Sequence, residues 1–163
     1  DPDITLGPMA NPRLAKLVRK QISTAIEKGA TPHIERFAKD DGEAYLSPQI
    51  LTNVNHEMDI MREENFGPVV GVMPVNDDIE AIRMMNDSHY GLTASLWTDN
   101  LKRAEQIGKR VETGTVFMNR ADYLDPALCW TGCKDTGRSG ALSTIGYQNL
   151  TRPKSFHLKK LMS

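Results

Sequence analysis

The chain has 163 residues, enough for one domain with a real core, and its 39% hydrophobic and 25% charged content is that of an ordinary globular protein. Twenty basic against 21 acidic residues leave a net charge of −1, which excludes a polyanion binder acting through its overall field. No apolar run approaches the roughly 20 residues of a membrane span, and no charged-then-apolar leader opens the chain, so a cytoplasmic location is expected. The sequence begins Asp1-Pro2-Asp3 without an initiator Met and reads as a processed, trimmed or excised piece.

Residues 1–10 form an extended lead-in with turn chemistry at Gly7-Pro8. Asn11-Pro12 has the form of an N-cap followed by proline at the first helical position. Leu14, Leu17, Val18, Ile22, Ala25 and Ile26 recur at helical spacing, and Gly29 is placed to end the helix. Arg13, Lys16, Arg19 and Lys20 on its other face read as solvated surface rather than a phosphate contact. A short strand is expected near 33–37 and a polar loop through 39–42. Residues 45–54 contain Pro48 and read as an irregular or edge strand at best. His56, Glu57 and Asp59 make a polar cluster that capping and turn bonds explain better than a metal.

The next stretch organises the rest. Glu63, Glu64, Asn65 and Phe66 precede Gly67-Pro68 and a β-branched run over 69–75, an exposed turn feeding a buried strand. Gly67 gives the backbone freedom and Pro68 is tolerated at the first residue of a strand. In extended backbone Glu64 and Phe66 point the same way, putting a carboxylate and a ring on one face at the lip of a sheet. Such a pair can bond a ribose diol and stack on a flat heterocycle. A solvated acid pair beside a core phenylalanine is the other reading, and spacing alone leaves both open.

Beyond it the pattern becomes regular. The 69–75 strand is followed by a helix opened by Asn76-Asp77-Asp78, whose acids suit the first turn. Ile79, Ile82 and Met85 face a core, and 86–88 end the helix. Residues 91–98 are a second strand. Asp99-Asn100 caps another helix with Leu101, Ala104, Ile107 and Val111 inward, and 115–118 is a third strand ending at Asn119. Strand, helix, strand, helix, strand with short connections predicts an α/β fold with a mostly parallel sheet and flanking helices. The eight methionines, Met84 and Met85 included, read as core filler.

After Asn119 the periodicity stops. Residues 120–126 form a polar and aromatic loop beyond the carboxyl end of a parallel strand, the usual place for a binding site. Cys129 and Cys133 sit in Cys-Trp-Thr-Gly-Cys without further zinc ligands nearby. They read as two buried or half-buried thiols, with a disulfide or a reactive thiol as alternatives. Residues 136–140 are glycine-rich, yet they lack the phosphate-loop pattern and no strand precedes them. Residues 143–150 predict a short helix. Residues 154–160 alternate like an edge strand, with Phe156 and Leu158 on one face inviting another chain.

Taken together these residues resemble the NAD(P)-dependent aldehyde dehydrogenases, over roughly the C-terminal third of such an enzyme. The likeness rests on Glu64-Asn65-Phe66-Gly67-Pro68-Val69, on Asn86-Asp87-Ser88-His89-Tyr90-Gly91-Leu92, on Gly114-Thr115-Val116-Phe117-Met118-Asn119 and on Lys134-Asp135-Thr136-Gly137-Arg138, in that order. The resemblance implies that Glu64 bonds the nicotinamide ribose of NAD or NADP and that Phe66 packs beside the nicotinamide. It implies that the 120–126 loop shapes the aldehyde pocket, with Asp122 and Leu124 lining it and Trp130 facing the substrate. Residues 1–150 would be part of the catalytic domain, and 151–163 the strand and tail that join subunits into a homo-oligomer.

Two departures stand out. Cys129-Trp130-Thr131-Gly132-Cys133-Lys134 replaces the family's small and apolar run, and Ser139 alters its double-glycine character, so substrate choice is open. The implied reaction oxidises an aldehyde to a carboxylic acid through a cysteine thioester with NAD(P)+. Its nucleophile, its glutamate base and the dinucleotide-binding domain would align upstream of Asp1, and neither Cys129 nor Cys133 matches the nucleophile. The chain alone is therefore expected to be inactive. The alternatives are a stand-alone binding or oligomerisation module, and an independent thiol enzyme using Cys129 or Cys133.

Overall fold

A computed structural model describes residues 6–34, 44–121 and 123–160, and the chain divides after Asp77 into two units, each with its own core. In the first unit Asn11 holds an extended backbone, and its Oδ1 accepts a hydrogen bond from the Leu14 amide at 3.0 Å. Pro12 sets the first helical residue of α1 (Pro12–Glu27). Beyond its end Gly29 takes φ +103°, which a residue without Cβ adopts at no steric cost. Ala15, Val18, Ile22 and Ala25 make one buried stripe at i, i+3, i+7 and i+10, with Gln21 beside it. Leu17 and Ile26, expected inward, fall off the edge of that stripe and stay exposed. Of the basic residues on the helix, Arg19 is more than solvated surface: its Nη2 donates to the Tyr45 carbonyl at 2.6 Å.

The helix covers one face of a three-stranded sheet, ordered β1 (Thr31–Pro32), β2 (Gln49–Thr52), β3 (Val69–Gly71). The β1–β2 pair is antiparallel and the β2–β3 pair parallel, with Ile50 opposite Val70. The 45–54 segment thus supplies a central strand, not an irregular or edge one, because Pro48 stops one residue short of the ladder. Leu51 and Gln49 point into the core while Ile50 and Val70 face away. The strand expected near 33–37 is not seen at His33 and Ile34, which follow the two-residue β1, and 35–37 lie outside the described residues. The 69–75 strand is cut to three residues, since Asn53 at φ +55° turns its partner away after Thr52. A single turn, α2 (Asp59–Arg62), precedes β3 and buries Ile60.

In the second unit α3 (Asp78–Asn86) opens with Asp78 and Glu80 in its first turn and buries Ile82. Ile79, expected inward, remains 65% exposed. The expected 91–98 strand splits at Leu92 into β4 (Tyr90–Gly91) and β5 (Thr93–Leu96), because its two halves pair with different partners. Asn100 caps α4 (Leu101–Gly108), its Oδ1 accepting from the Arg103 amide at 3.0 Å. Ala104 and Val111 are buried, whereas Leu101 is exposed at the helix start. The strand β6 (Thr115–Met118) runs parallel to β5 over four paired positions, and β7 (Cys133–Lys134) pairs antiparallel with β4. α5 (Ser143–Leu150) spans the residues expected of it.

The α/β class holds, with helices beside small sheets whose longer pairings are parallel. The single strand-helix-strand-helix-strand sheet does not form among the described residues, because β3 pairs with β2 and β5 with β6. Residues 152–160 form no strand and lie exposed. No described helix is long and apolar enough to cross a membrane.

One ion pair ties the start of α3 to the start of α4. The guanidinium of Arg103 grips Asp78 with Nε at 2.7 Å and Nη2 at 2.5 Å. The hydrogen bond from Arg103 holds the Asp78 carboxyl below its ordinary value, with the guanidinium charge adding to it. A depressed folded-state value means that the pair contributes stability above the unfolded carboxyl's pKa, about 3.9, and loses it as pH falls through the folded value. The melting-temperature advantage of the native chain over Asp78→Asn is therefore expected to shrink as pH drops below about 4. Thermal unfolding of both proteins across pH 3–7 checks this.

Candidate functional site

In the first unit the turn that carries Glu64 and Phe66 begins where α2 ends, at Glu63 in extended backbone. Asn65 Oδ1 accepts from the Gly67 amide at 3.3 Å, and the Pro68 carbonyl accepts from the Gln49 amide at 2.8 Å, fixing the turn to the sheet. Gly67 is required for space rather than for backbone freedom: it has no positive φ, and a Cβ there would lie 2.8 Å from both Val18 methyls. The strand β2 is in turn held by Gln49, which is 1% exposed. Its Oε1 accepts from the amides of His33 at 3.1 Å, Ile34 at 3.0 Å and Ile50 at 2.9 Å, while Nε2 donates to the Ile34 carbonyl at 3.1 Å.

Glu64 and Phe66 do not share one hollow. Glu64 borders a recess of about 200 Å³ together with Leu17, Lys20, Gln21, Thr24, Asp59 and Glu63. Phe66 borders a different one of about 380 Å³, with Leu6, Pro8, Met9 and Leu46 among its walls. The physical reason is that 64–66 is an irregular turn, not the strand whose alternation would put both side chains on one face. The Phe66 ring is 74% exposed, so the core-phenylalanine reading fails and a ring face is free for a flat partner. Beside Glu64, Gln21 is 5% exposed and its Oε1 has no hydrogen-bond partner. An exposed carboxylate suits a hydroxyl-rich ligand, and an exposed ring suits a heterocycle.

In the second unit the loop after β6 starts from a clamp. Asn119, at φ +55°, accepts from the Thr98 amide at 2.9 Å and donates to the Thr98 carbonyl at 2.8 Å. Leu124 is 59% exposed. Trp130 is half-buried and pairs its backbone with Ala141 in both directions, at 2.8 and 3.0 Å. Asp122 lies outside the described residues. An apolar hollow of about 360 Å³ is bordered by Pro126, Ala141, Leu142, Gly146, Tyr147 and Leu150, and neither Leu124 nor Trp130 lines it. Cys129 and Cys133 are free and half-buried, so the short-loop disulfide is not formed. Among the described residues no group of three or more His, Cys, Asp or Glu side chains is placed to hold a metal. The His56–Asp59 cluster has turn bonds instead, with Asn55 Oδ1 accepting from the Glu57 amide at 2.9 Å.

The residue that sequence reasoning missed is Lys134, the first of a quoted motif but given no role. Its Nζ donates to the carbonyls of Asn86 at 2.7 Å and Ser88 at 3.0 Å, and meets Glu112 at 3.0 Å. It thereby satisfies the carboxyl end of α3 and ties β7 to it. Asn86 completes the knot, donating to the Arg110 carbonyl and accepting from the Glu112 amide. Thr136 Oγ1 accepts from the Gly91 amide at 3.0 Å. The 86–92 and 134–138 motifs are thus two halves of one scaffold.

The aldehyde dehydrogenase family profile matches residues 1–156. The chain belongs to the aldehyde dehydrogenase family. It is 34% identical over 154 residues to succinate-semialdehyde dehydrogenase [NADP(+)] of Deinococcus radiodurans, covering 94% of this chain and 32% of that protein. Among solved structures, aldehyde dehydrogenase of Mycobacterium tuberculosis complexed with NAD+ superposes with a TM-score of 0.86 at 27% identity, covering 97% of this chain and 34% of the other. Succinic semialdehyde dehydrogenase of Streptococcus pyogenes in complex with NADP+ gives 0.83 at 31% identity, over 90% of this chain and 32% of the other. The chain spans about a third of the length of these relatives.

Replacing Lys134 by Met keeps the length of the side chain and leaves three acceptors without their cation. Lys134→Met is expected to lower unfolding free energy by about 1–3 kcal/mol, read from urea denaturation against the native chain. A change below a few tenths of a kcal/mol would refute the scaffold role.

Proposed function

We propose that these residues form part of an aldehyde dehydrogenase that oxidises an aldehyde to a carboxylic acid with NAD or NADP. The single observation that carries the reading is the turn at 64–66. It offers an exposed carboxylate beside a recess of about 200 Å³ and an exposed aromatic ring, within a chain of this family. Glu64 would accept hydrogen bonds from the nicotinamide ribose, and Phe66 would pack beside the ring and limit its movement. A bound dinucleotide would supply the hydride acceptor. In the second unit Leu124 and Trp130, with Asp122, would line the aldehyde pocket, giving it an apolar wall that excludes water from the reacting carbonyl.

The nucleophilic cysteine, the water-activating glutamate and the dinucleotide-binding domain are not assigned to any residue of this chain. We therefore expect the 163 residues to contribute a portion of the site and not the whole reaction. Their relatives are dehydrogenases of different aldehydes, and complexes with either dinucleotide occur among them. A stand-alone binding module remains the competing reading, favoured by one observation, the unpaired exposed segment 152–160.

Purified 163-residue chain and any longer product of the same gene should be assayed side by side for aldehyde-dependent NAD(P)H formation. Activity is expected only in the longer product. There, Glu64→Gln is expected to raise the Kd for the dinucleotide about 10-fold or more, the loss of a charge-assisted bond. Phe66→Ala is expected to lower kcat. Turnover by the 163 residues alone would sink the assignment and turn attention to Cys129 and Cys133.

Residues 1–150 belong, in this reading, to the catalytic portion, and 151–163 to a strand that joins subunits. Phe156 and Leu158 are 71% and 87% exposed, an apolar pair that a second copy would cover. Leu158→Asp is expected to shift the solution mass towards monomer, as light scattering after gel filtration would show. An unchanged mass would remove the segment from the interface.

A further inference from the structure

We infer that Arg120 selects aldehydes carrying a carboxylate at the end remote from the reacting carbonyl. The inference rests on the proposed place of the 120–126 loop at the aldehyde pocket. Arg120 is the second residue beyond the carboxyl end of β6, a strand paired in parallel with β5, which is where α/β folds bind ligands. Its main chain is fixed on both sides. The carbonyl of Arg120 accepts from the Ser95 hydroxyl, and the preceding Asn119 is clamped to Thr98 by its side chain and to the Leu96 carbonyl by its amide at 2.9 Å.

The guanidinium carbon lies 4.0 Å from the centroid of the Tyr123 ring, a cation–π contact that uses none of the donors on its N–H edge. Among the described residues that edge donates no hydrogen bond and joins no ion pair, in contrast to Arg103, whose fork is filled by Asp78. Asp125, the described acid of the same loop, turns its Oδ1 to the Ala127 amide at 2.9 Å. A pre-organised, exposed fork with a free edge matches a planar two-oxygen anion in bidentate fashion. Leu124, exposed on the same loop, offers apolar surface to the carbon chain between the carboxylate and the aldehyde.

The test uses the full-length product of the gene and two aldehydes of equal chain length, one ending in a carboxylate and one in a methyl group. The native protein is expected to favour the carboxylate aldehyde, and Arg120→Gln to lower the ratio of the two kcat/KM values about 10- to 100-fold, chiefly through KM. Arg120→Lys is expected to recover part of the ratio, because it restores the charge but not the fork. If both aldehydes are oxidised and Arg120→Gln leaves the ratio where it was, the inference is overturned while the proposed function stands. If neither is oxidised, the proposed function has failed, and the inference with it.

Discussion

Strands of two to four residues leave most backbone amides and carbonyls around them without a ladder partner, and an unsatisfied buried group costs about 1–3 kcal/mol. That constraint shapes this chain more than any single apolar contact. It is met by long-range side chains that reach main-chain groups far away in sequence. Gln49 does it in the first unit, with three amides on one oxygen and a carbonyl on its nitrogen. Lys134, Asn86 and Asn119 do it in the second, closing over 21 to 48 residues of sequence.

These polar knots set what the functional loops can do. In the first unit Gln49 fixes β2, β2 fixes β3 through the parallel register, and the Pro68 carbonyl bonded to the Gln49 amide fixes the turn before it. The tight seat of Gly67 against Val18 then leaves Glu64 and Phe66 no core to enter. They are exposed because their neighbours are anchored. In the second unit the Asn119–Thr98 clamp ends β6 sharply, so the chain leaves the sheet at Arg120 with a defined direction. The Trp130–Ala141 bridge and the Lys134 knot hold the far side of the same loop. A rigid frame carrying an exposed loop is the arrangement in which binding residues commonly sit.

The family's recurring motifs divide accordingly. Gly67-Pro68, 86–92 and 134–138 are structural devices, each explained by a bond or a close approach in this chain. Glu64, Phe66, Arg120 and Leu124 have no comparable structural duty, and their exposure is what opens them to ligands. Matching a motif and finding its chemistry are therefore different steps. The scaffold motifs establish the family, while the exposed residues between them carry the proposed cofactor and substrate contacts.

The sequence by itself determined the local elements whose cause is local. An Asn-Pro start and a glycine end bounded α1, Asn100 bounded α4, and β6 and α5 fell where periodicity placed them. It also determined the family, through four motifs in order. Only the tertiary structure decided what depends on partners distant in the chain. It made residues 49–52 a central strand, stopped β3 after three residues when Asn53 turned its partner away, and split the 90–96 stretch between two partners. It also separated Glu64 from Phe66 and gave Lys134 its three acceptors. Periodicity reports which face of an element is apolar; it does not report which strand or carbonyl will lie opposite. That is fixed by the pairing of groups tens of residues apart, and a linear pattern does not encode it.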